Sequence, residues 1–406
     1  MADIVLVSSG QPSLNPRLVK EADTLATNGH NVLVIYAYWN NWATQLDEDL
    51  LSKRQWKAIR VGGHPQHNKL VYLISRLIFK TAGVAAKTLK LANFAYLANA
   101  RSSYFLIREA KKHKADLYIG HNLGALPAVA KAAHKFHRPC GFDVEDMHRY
   151  EASNDDQNPD VWLKAQVENK YFPLVSYLTV SSDQIGDAYI KIFPGKKFTT
   201  LRNVFPKSTV VVSPSADNKA PLKLLWCSQT IGTMRGLEVV VEALLTIKNL
   251  GIELHLLGDL PDGEFKEYLE AAKTKGLKIF NYAPISSDAL IDFAAQFDIG
   301  LATEPGFSIN NDAALSNKIF TYIQAGLAII ASDTSAQKQF LGDYPAIGKV
   351  YEKGNMDELA AILTYYQQNR AELLNTKNNV IQLAQTELNW ETESKKFTEL
   401  LRNILS

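Results

Sequence analysis

The chain is expected to fold as α/β, with two Rossmann-like domains in tandem, each an open parallel sheet covered by helices. Three observations predict this. Short apolar runs alternate with helical stretches along almost the whole chain, the βαβ pattern of parallel sheets. The alternation breaks once, over 206–221, where three prolines and four serine or threonine residues fall together, and then resumes. The 406 residues also suffice for two domains of about 100–200 residues each.

Ile4 to Val7 is an apolar run closed by Ser8-Ser9-Gly10, a buried strand and its turn. Pro16 opens a helix in which Leu18, Ala22, Leu25 and Ala26 share a face; Gly29 ends it, and Val32 to Tyr36 is the next strand. The unit recurs as strand Leu117 to Ile119, helix Ala125 to Phe136 and strand Cys140 to Val144, with further strands at Tyr177 to Ser181 and Phe198 to Arg202. The first domain is therefore set at 1–205. The linker is 206–221, with an edge strand at Val210 to Val212.

The second series, 222–385, begins with strand Leu222 to Trp226, helix Leu237 to Leu250 and strand Glu253 to Leu257. It continues with helix Glu264 to Lys275, strand Leu277 to Asn281, helix Ser287 to Gln296 and strand Ile299 to Ala302. A helix around Lys318 to Gln324 and strand Ala328 to Ser332 complete it. The tail, 386–406, carries a helix over Thr392 to Ile404, read as packing back on the first domain.

Composition narrows the function. Lys and Arg total 44 and Asp and Glu 42, a net charge of +2, so a general nucleic-acid binder is not expected. Cys140 and Cys227 are too few for a disulfide framework or a cysteine metal cluster. The amino terminus lacks a basic region before its short apolar run, and no uncharged stretch is long enough to span a bilayer. A cytoplasmic protein is expected.

Open α/β sheets bind ligands beyond the carboxyl ends of their strands, so the loops there are the candidate chemistry. The richest runs from Glu304 to Asp312 and on into Ser316-Asn317-Lys318, where a helix begins. Free amides and the helix dipole favour an anion there, and a diphosphate would explain a cation, Lys318, in the first turn. An ordinary cap by Ser316 or Asn317, with Lys318 in solvent, is an equal alternative. A second loop, from Trp226 to Gly236, carries Arg235, whose fork suits phosphate, beside Gly236. In the first domain His121 and Asn122 end one strand, and Asp143, Glu145, Asp146, His148 and Arg149 follow another. A metal site among these acids lacks a second ligand cluster.

Residues 69–114 hold ten basic residues against one acid, Glu109. Leu70, Leu73, Ile74, Leu77 and Ile78 share one helical face within this segment. Packing of that face into the core, with basic outer faces, is the simpler reading. Peripheral contact with an anionic membrane, at its inner face, is the other.

In order along the chain, these loops resemble family 4 of the retaining, nucleotide-sugar-dependent glycosyltransferases. That family has the GT-B architecture, two Rossmann-like domains facing across a cleft. Asn15-Pro-Arg17 resembles the family's first helix start, and His121-Asn-Leu-Gly-Ala-Leu-Pro127 its His-Asp…Leu-Pro segment, with Asn122 where Asp is usual. Phe142-Asp143-Val-Glu145-Asp146 resembles its Tyr-Asp-x-His-Glu segment, with Glu145 in the His place. Arg202-Asn203-Val204 is similar to the Pro-Asn-Gly segment, Arg235-Gly236 to the phosphate-binding turn, and Ser316 to Gly326 to Pro-Asn-Lys-x-Phe-Glu-Tyr-x-x-x-Gly.

The resemblance implies transfer of a sugar, with retention, from a nucleotide diphosphate sugar to a glycan or lipid-linked acceptor in polysaccharide or glycolipid assembly. It implies no metal and no cofactor beyond the sugar nucleotide. His121, Glu304, Arg235 and Lys318 would act at the reacting bond, Glu304 as a sugar-hydroxyl ligand. Gly10, Asn203, Gln229, Gly236, Asp312, Ser316, Asn317 and Thr321 would line the donor, and Arg17, Asp143 and Glu145 the acceptor side. Two registers stay open for the ribose-holding glutamate: Asp312, eight positions after Glu304, or Thr321, by its Asn-Lys-x-Phe context. The family's arginine upstream of the Arg-Gly turn is replaced near Gln229 or Thr230. Those departures motivate a catalytically degenerate binding or scaffold subunit as the alternative; an epimerase or inverting transferase is a third reading without a motif of its own.

Overall fold

A computed structural model of the chain describes residues 1–208 and 220–405. The chain divides into two compact units. Unit 1 gathers Met1–Arg202, Ser308–Asn310 and the residues from Ser394 onward; unit 2 gathers Asn203–Phe307 and Asn311–Glu393. The second unit thus starts at Asn203 rather than 222 and continues past 385. The expected edge strand at Val210 to Val212 lies outside the described residues.

Unit 1 runs β1 (Asp3–Ser8), α1 (Pro16–Thr27), β2 (Asn31–Ala37), α2 (Trp42–Leu51), β3 (Lys57–Val61), α3 (Lys69–Gly83), α4 (Ala95–Asn99) and α5 (Ser103–Ala110). It continues with β4 (Leu117–His121), α6 (Leu126–Phe136), β5 (Cys140–Val144), α7 (Pro159–Tyr171), β6 (Tyr177–Val180), α8 (Asp183–Ile192) and β7 (Phe198–Thr200). The strands form one sheet in the order β3-β2-β1-β4-β5-β6-β7, and every pair is parallel. β4, β5 and β6 are buried along their whole length, which is why they read as unbroken apolar runs. Pro16 at the first turn and the Asn15 side chain, which accepts from the Leu18 amide, start α1.

Unit 2 runs β8 (Leu222–Thr230), α9 (Leu237–Thr246), β9 (Ile252–Asp259), α10 (Glu264–Thr274), β10 (Lys278–Tyr282), α11 (Ser287–Ala294), β11 (Ile299–Ala302), α12 (Ile309–Ala313) and α13 (Asn317–Gln324). Then follow β12 (Ala328–Ser332), α14 (Ser335–Asp343), β13 (Gly348–Tyr351), α15 (Met356–Gln368) and α16 (Arg370–Thr386), and the chain closes with α17 (Trp390–Leu405). Its sheet is also parallel, in the order β10-β9-β8-β11-β12-β13. Core clusters lie on both faces, around Leu224, Trp226 and Leu254 on one side and Leu225, Ile319 and Ile329 on the other. Gly300 lets α13 press onto the sheet, since a Cβ there would lie 2.1 Å from the Tyr322 ring. Most of α17 belongs to unit 1, where Phe397 and Leu401 join the core of Ile4, Leu6, Leu18 and Ile119.

Both sheets reverse direction once. The chain moves outward from β1 to β3 and returns to place β4 on the other side of β1; it moves from β8 to β10 and returns to place β11 beside β8. In each unit the carboxyl ends of those two neighbours form the topological switch point, the place where open α/β sheets take ligands.

One expectation fails here. The apolar stripe of α3 does not enter the core. Leu70, Leu73, Ile74 and Leu77 are 71%, 51%, 41% and 63% exposed. Among the described residues no helix is long and apolar enough to cross a membrane.

Candidate functional site

In unit 2 the β8/β11 reversal brings together the two loops singled out by sequence. β11 lies against β8, with Ile299 opposite Leu224 and Gly300 opposite Leu225, so the segments after Ala302 and after Thr230 start side by side. Gly236 seals them. It sits at φ 73, and a Cβ there would lie 1.9 Å from the Thr303 carbonyl oxygen. Met234 is also left-handed, at φ 58, so Arg235 is held between two positive-φ residues. A non-glycine residue there costs about 1–3 kcal/mol, a strain that clusters at functional sites.

A chain of contacts joins Arg235 to Lys318. The Trp226 indole N–H donates to Thr303 Oγ1 at 3.1 Å, and that hydroxyl donates to the Arg235 carbonyl at 2.6 Å. Lys318 Nζ lies 5.3 Å from the centre of the Trp226 ring. The Arg235 guanidinium itself is exposed and touches only Ser228 Oγ, at 3.3 Å, among the described residues. It is free to turn onto an anion.

Lys318 is not free. Its ammonium donates to Glu304 Oε1 at 2.5 Å, and the Ser316 hydroxyl donates to the same oxygen at 2.7 Å. Ser316 therefore spends its side chain on Glu304 and makes no cap bond to α13. This answers the question raised by a lysine in a first helical turn: Glu304 supplies the negative charge, and the helix amides remain uncapped. Burial would raise the Glu304 pKa, but Lys318 and the bonds from Lys318 and Ser316 bring it below the usual carboxylate value. Glu304 stays ionised. Its second oxygen, Oε2, is buried and has no hydrogen-bond partner, an acceptor ready for a hydroxyl. The Glu304 carbonyl accepts from Ser332 Oγ at 2.6 Å, which fixes the loop.

The other donor-side residues scatter in character. Asn203 Nδ2 donates to Asn317 Oδ1 at 3.0 Å, bringing those two together beside Lys318. Gln229 is exposed at the end of β8. Thr321 is 3% exposed on the inward face of α13. Asp312 is ion-paired with Lys353 Nζ at 3.0 Å and accepts from the Ser335 amide at 3.3 Å. Burial raises its pKa, but Ser335 and Lys353 bring it below the usual value. Neither of the two registers thus presents an uncommitted carboxylate.

In unit 1 the β1/β4 reversal holds Gly10, Asn122 and His121. The Gly10 amide donates to Ser8 Oγ at 3.1 Å, and that hydroxyl donates to Asn122 Oδ1 at 3.0 Å; Asn122 is left-handed, at φ 63. His121, expected from the resemblance to act at the reacting bond, sits in the core. It is fully buried, opposite Asp143 in the β4/β5 register. Its Nε2 bonds Glu21 Oε2 at 3.0 Å, and its Nδ1 lies 3.4 Å from Asp143 Oδ2 and 3.8 Å from Glu145 Oε1. Burial would lower its pKa, but Glu21, Asp143 and Glu145 raise it well above the ordinary histidine value, while burial pushes the Glu21 carboxyl up, so the His121–Glu21 pair holds a proton between them.

Arg17 and Asp143, expected on the acceptor side, are buried too, at 3% and 0% exposure. Arg17 Nε donates to Asp143 Oδ2 at 2.7 Å and Nη2 to Oδ1 at 2.5 Å, a two-pronged pair, while Nη1 donates to the Leu201 carbonyl at 2.5 Å. Thr179 Oγ1 adds a bond to Asp143 Oδ1 at 2.6 Å. Burial would raise the Asp143 pKa, but Arg17 and His121 pull it far below the carboxylate range. Of this group only Glu145 keeps appreciable exposure, 24% of its side chain. Ligand atoms of Glu21, His121 and Asp143 lie within 4.8 Å of one another, yet the guanidinium on both Asp143 oxygens and the proton held between His121 and Glu21 suit an ion-pair network better than a metal site.

Sequence reasoning missed Glu21, Trp226, Thr303 and Lys353. Glu21 had a legible signal: three residues after Leu18 and one before Ala22, it falls on the apolar face of α1, where an acid requires a partner.

No protein-family model matches the chain, and no curated protein sequence matches it. Solved structures do. HepE of Anabaena in complex with UDP aligns over 99% of this chain and 100% of its own, at 15% identity and a TM-score of 0.68. Sucrose-phosphate synthase of Thermosynechococcus elongatus aligns over 100% and 99%, at 15% identity and a TM-score of 0.69. TarM of S. aureus, in a complex that includes UDP, aligns over the full length of both chains at 10% identity and a TM-score of 0.70. At such identities the likeness is one of fold. Two parallel-sheet α/β domains over the full length of these chains give the protein the GT-B architecture.

Proposed function

We propose that the chain is a nucleotide-sugar-dependent glycosyltransferase that transfers a hexose with retention of configuration. The observation that carries this reading is the ionised Glu304 fixed by Lys318 and Ser316, with one oxygen left unpartnered, at the strand reversal that also holds Arg235. The UDP and UDP-glucose complexes of HepE support a nucleotide donor.

In this mechanism the diphosphate binds over the uncapped first turn of α13. Arg235 swings from Ser228 onto its oxygens, and Lys318 shares its charge between Glu304 and the phosphate. As the glycosidic bond breaks, negative charge builds on the leaving diphosphate. A prepositioned donor at such a charge is worth about 2.7–4 kcal/mol. Glu304 Oε2 accepts a sugar hydroxyl and orients the ring. The acceptor, a glycan or a lipid-linked sugar, attacks from the side that the diphosphate leaves, and a phosphate oxygen takes its proton. Arg235 and Lys318 would do the charge work without a metal. A peripheral place at an anionic membrane face would present a lipid-linked acceptor.

The test is incubation of purified protein with a panel of nucleotide sugars and acceptors, read by nucleoside diphosphate release and by the anomer of the product. Release that Arg235→Ala abolishes, with a retained anomer, supports the proposal. An inverted product would refute retention. A second reading, a binding subunit without turnover, is favoured by buried Thr321 and by Gln229 near the place of the family's arginine. It predicts nucleotide binding without release.

A further inference from the structure

We propose that Trp39 and Trp42 form a platform for a neutral glycan chain. Tryptophan elsewhere in the chain is buried and its indole N–H is partnered: Trp56 donates to Asp23 Oδ1 at 2.7 Å, and Trp226 to Thr303. Trp39 and Trp42 are the reverse. They are 61% and 57% exposed, and neither indole N–H has a partner among the described residues. Both follow β2, whose register sets Tyr36 against Ser8, so the segment after Ala37 starts beside Ser8-Ser9-Gly10 at the unit 1 switch point. The segment is held in place from beneath. Gln11, fully buried, accepts from the Trp39 amide at 3.0 Å and the Asn40 amide at 2.6 Å, and its Nε2 donates to Asp47 Oδ2 at 2.7 Å. Asp47, also buried, accepts from the Ser13 amide at 2.9 Å, and Arg101 Nη2 donates to the Tyr38 carbonyl at 2.5 Å. Buried polar side chains thus fix the backbone while the two rings stay in water. Rings fixed in advance lose little freedom when a ligand lies on them.

Chemistry selects the occupant. From Asn31 to Leu46 the sequence has no charged residue. The polar groups beside the rings are amides. Asn41 precedes α2 without capping it, and neither the Asn40 nor the Asn41 side chain bonds another group among the described residues. Leu46, one helical turn beyond Trp42, is 43% exposed and extends the apolar surface. A matching ligand has apolar faces for the rings, hydroxyls for the amides, and no charge. Pyranose units have this composition: C–H faces that lie on an indole, and hydroxyls at their rims. The nearest exposed charges along α2 are the acids Glu48 and Asp49, which repel an anionic headgroup or an acidic peptide. Naming this chain as the acceptor rests on the transferase reading; the binding itself does not.

The experiment is electrophoresis of the full chain in native gels that contain dextran, glucomannan or xyloglucan, with a polymer-free gel as reference. At least one of these neutral polymers should retard the protein. A Trp39→Ala, Trp42→Ala variant should bind that polymer about tenfold more weakly or worse. Its melting temperature should stay where it was, because both rings are already in water. A Trp39→Phe, Trp42→Phe variant keeps aromatic faces and should keep most of the retardation. Retardation by none of the polymers, or equal retardation of the parent and the alanine variant, would overturn the proposal. So would binding to lipid vesicles that depends on the two tryptophans while no polymer retards the chain. Nucleoside diphosphate release separates the two readings. Tryptophan-dependent retardation in a chain that never releases nucleoside diphosphate supports the platform and sinks the transferase; release without retardation sinks the platform alone.

Discussion

Replacing Asp143 by Asn should unfold the first unit at markedly lower temperature. The substitution preserves shape but removes a charge that is wholly buried and takes bonds from Arg17 Nε, Arg17 Nη2 and Thr179 Oγ1. The asparagine amide would turn an N–H₂ group toward a guanidinium that only donates. Arg17, 3% exposed, would lose its two-pronged partner and keep as an ion pair only the looser Glu145 contact, 3.9 Å from Nε. Removing one partner of a buried pair costs about 3–5 kcal/mol. For a domain of some 150–250 residues each kcal/mol moves the midpoint by about 2–4 °C, so a fall on the order of 10 °C is expected. Circular dichroism melting gives the midpoint. Hydrogen exchange on β4 and β5 shows whether the loss is in this sheet. A midpoint within about 2 °C of the parent, with β4 and β5 still protected, would refute the claim that this network holds the strand ends.

The same network predicts pH dependence. The folded pKa of His121 lies above its unfolded value near 6.5, so its contribution is full below that and fades as pH rises through the folded value. Asp143, with a depressed folded pKa, contributes above about pH 3.9 and fades as pH falls through its folded value. A pH series of urea unfolding should therefore show an alkaline decline that His121→Gln removes; a decline of the same size in that variant would count against it. Gly236→Ala should weaken nucleotide binding at least tenfold and lower the melting temperature, because the new methyl meets the Thr303 carbonyl in a left-handed turn; titration with nucleoside diphosphate reads it. Glu304→Gln should leave nucleoside diphosphate affinity unchanged or tighter, since a negative charge leaves the site, while turnover drops about tenfold to a hundredfold with the lost charge-assisted bond. Weaker nucleotide binding with unchanged turnover would contradict the role given to this carboxylate.

Much of the fold was legible because parallel strands buried on both faces leave unbroken apolar runs. β1, β2, β4, β5, β6, β8, β9, β11 and β12 were all visible that way, while β7 and β10, with no buried residue and one, were read from their place in the alternation. β3 and β13 were not: Lys57–Val61 has no buried residue, and Gly348–Tyr351 has only one, so these edge strands carry too little apolar signal. The loops bearing Arg235, Glu304 and Lys318 were identified from residue type and place after a strand. Their meeting around Trp226 and Thr303 depends on β11 returning to lie beside β8, a long-range order that local periodicity does not encode. Periodicity also marks a face without saying what covers it. The leucines of α3 read as core and face solvent, and His121 read as a loop ligand and is core.

The most direct measurement of the central claim is calorimetric titration of the parent chain, Arg235→Ala and Lys318→Ala with a panel of nucleoside diphosphates. The account predicts saturable binding of at least one by the parent and a loss of about tenfold or more in each variant. No binding by the parent, or equal affinity in all three proteins, would contradict it.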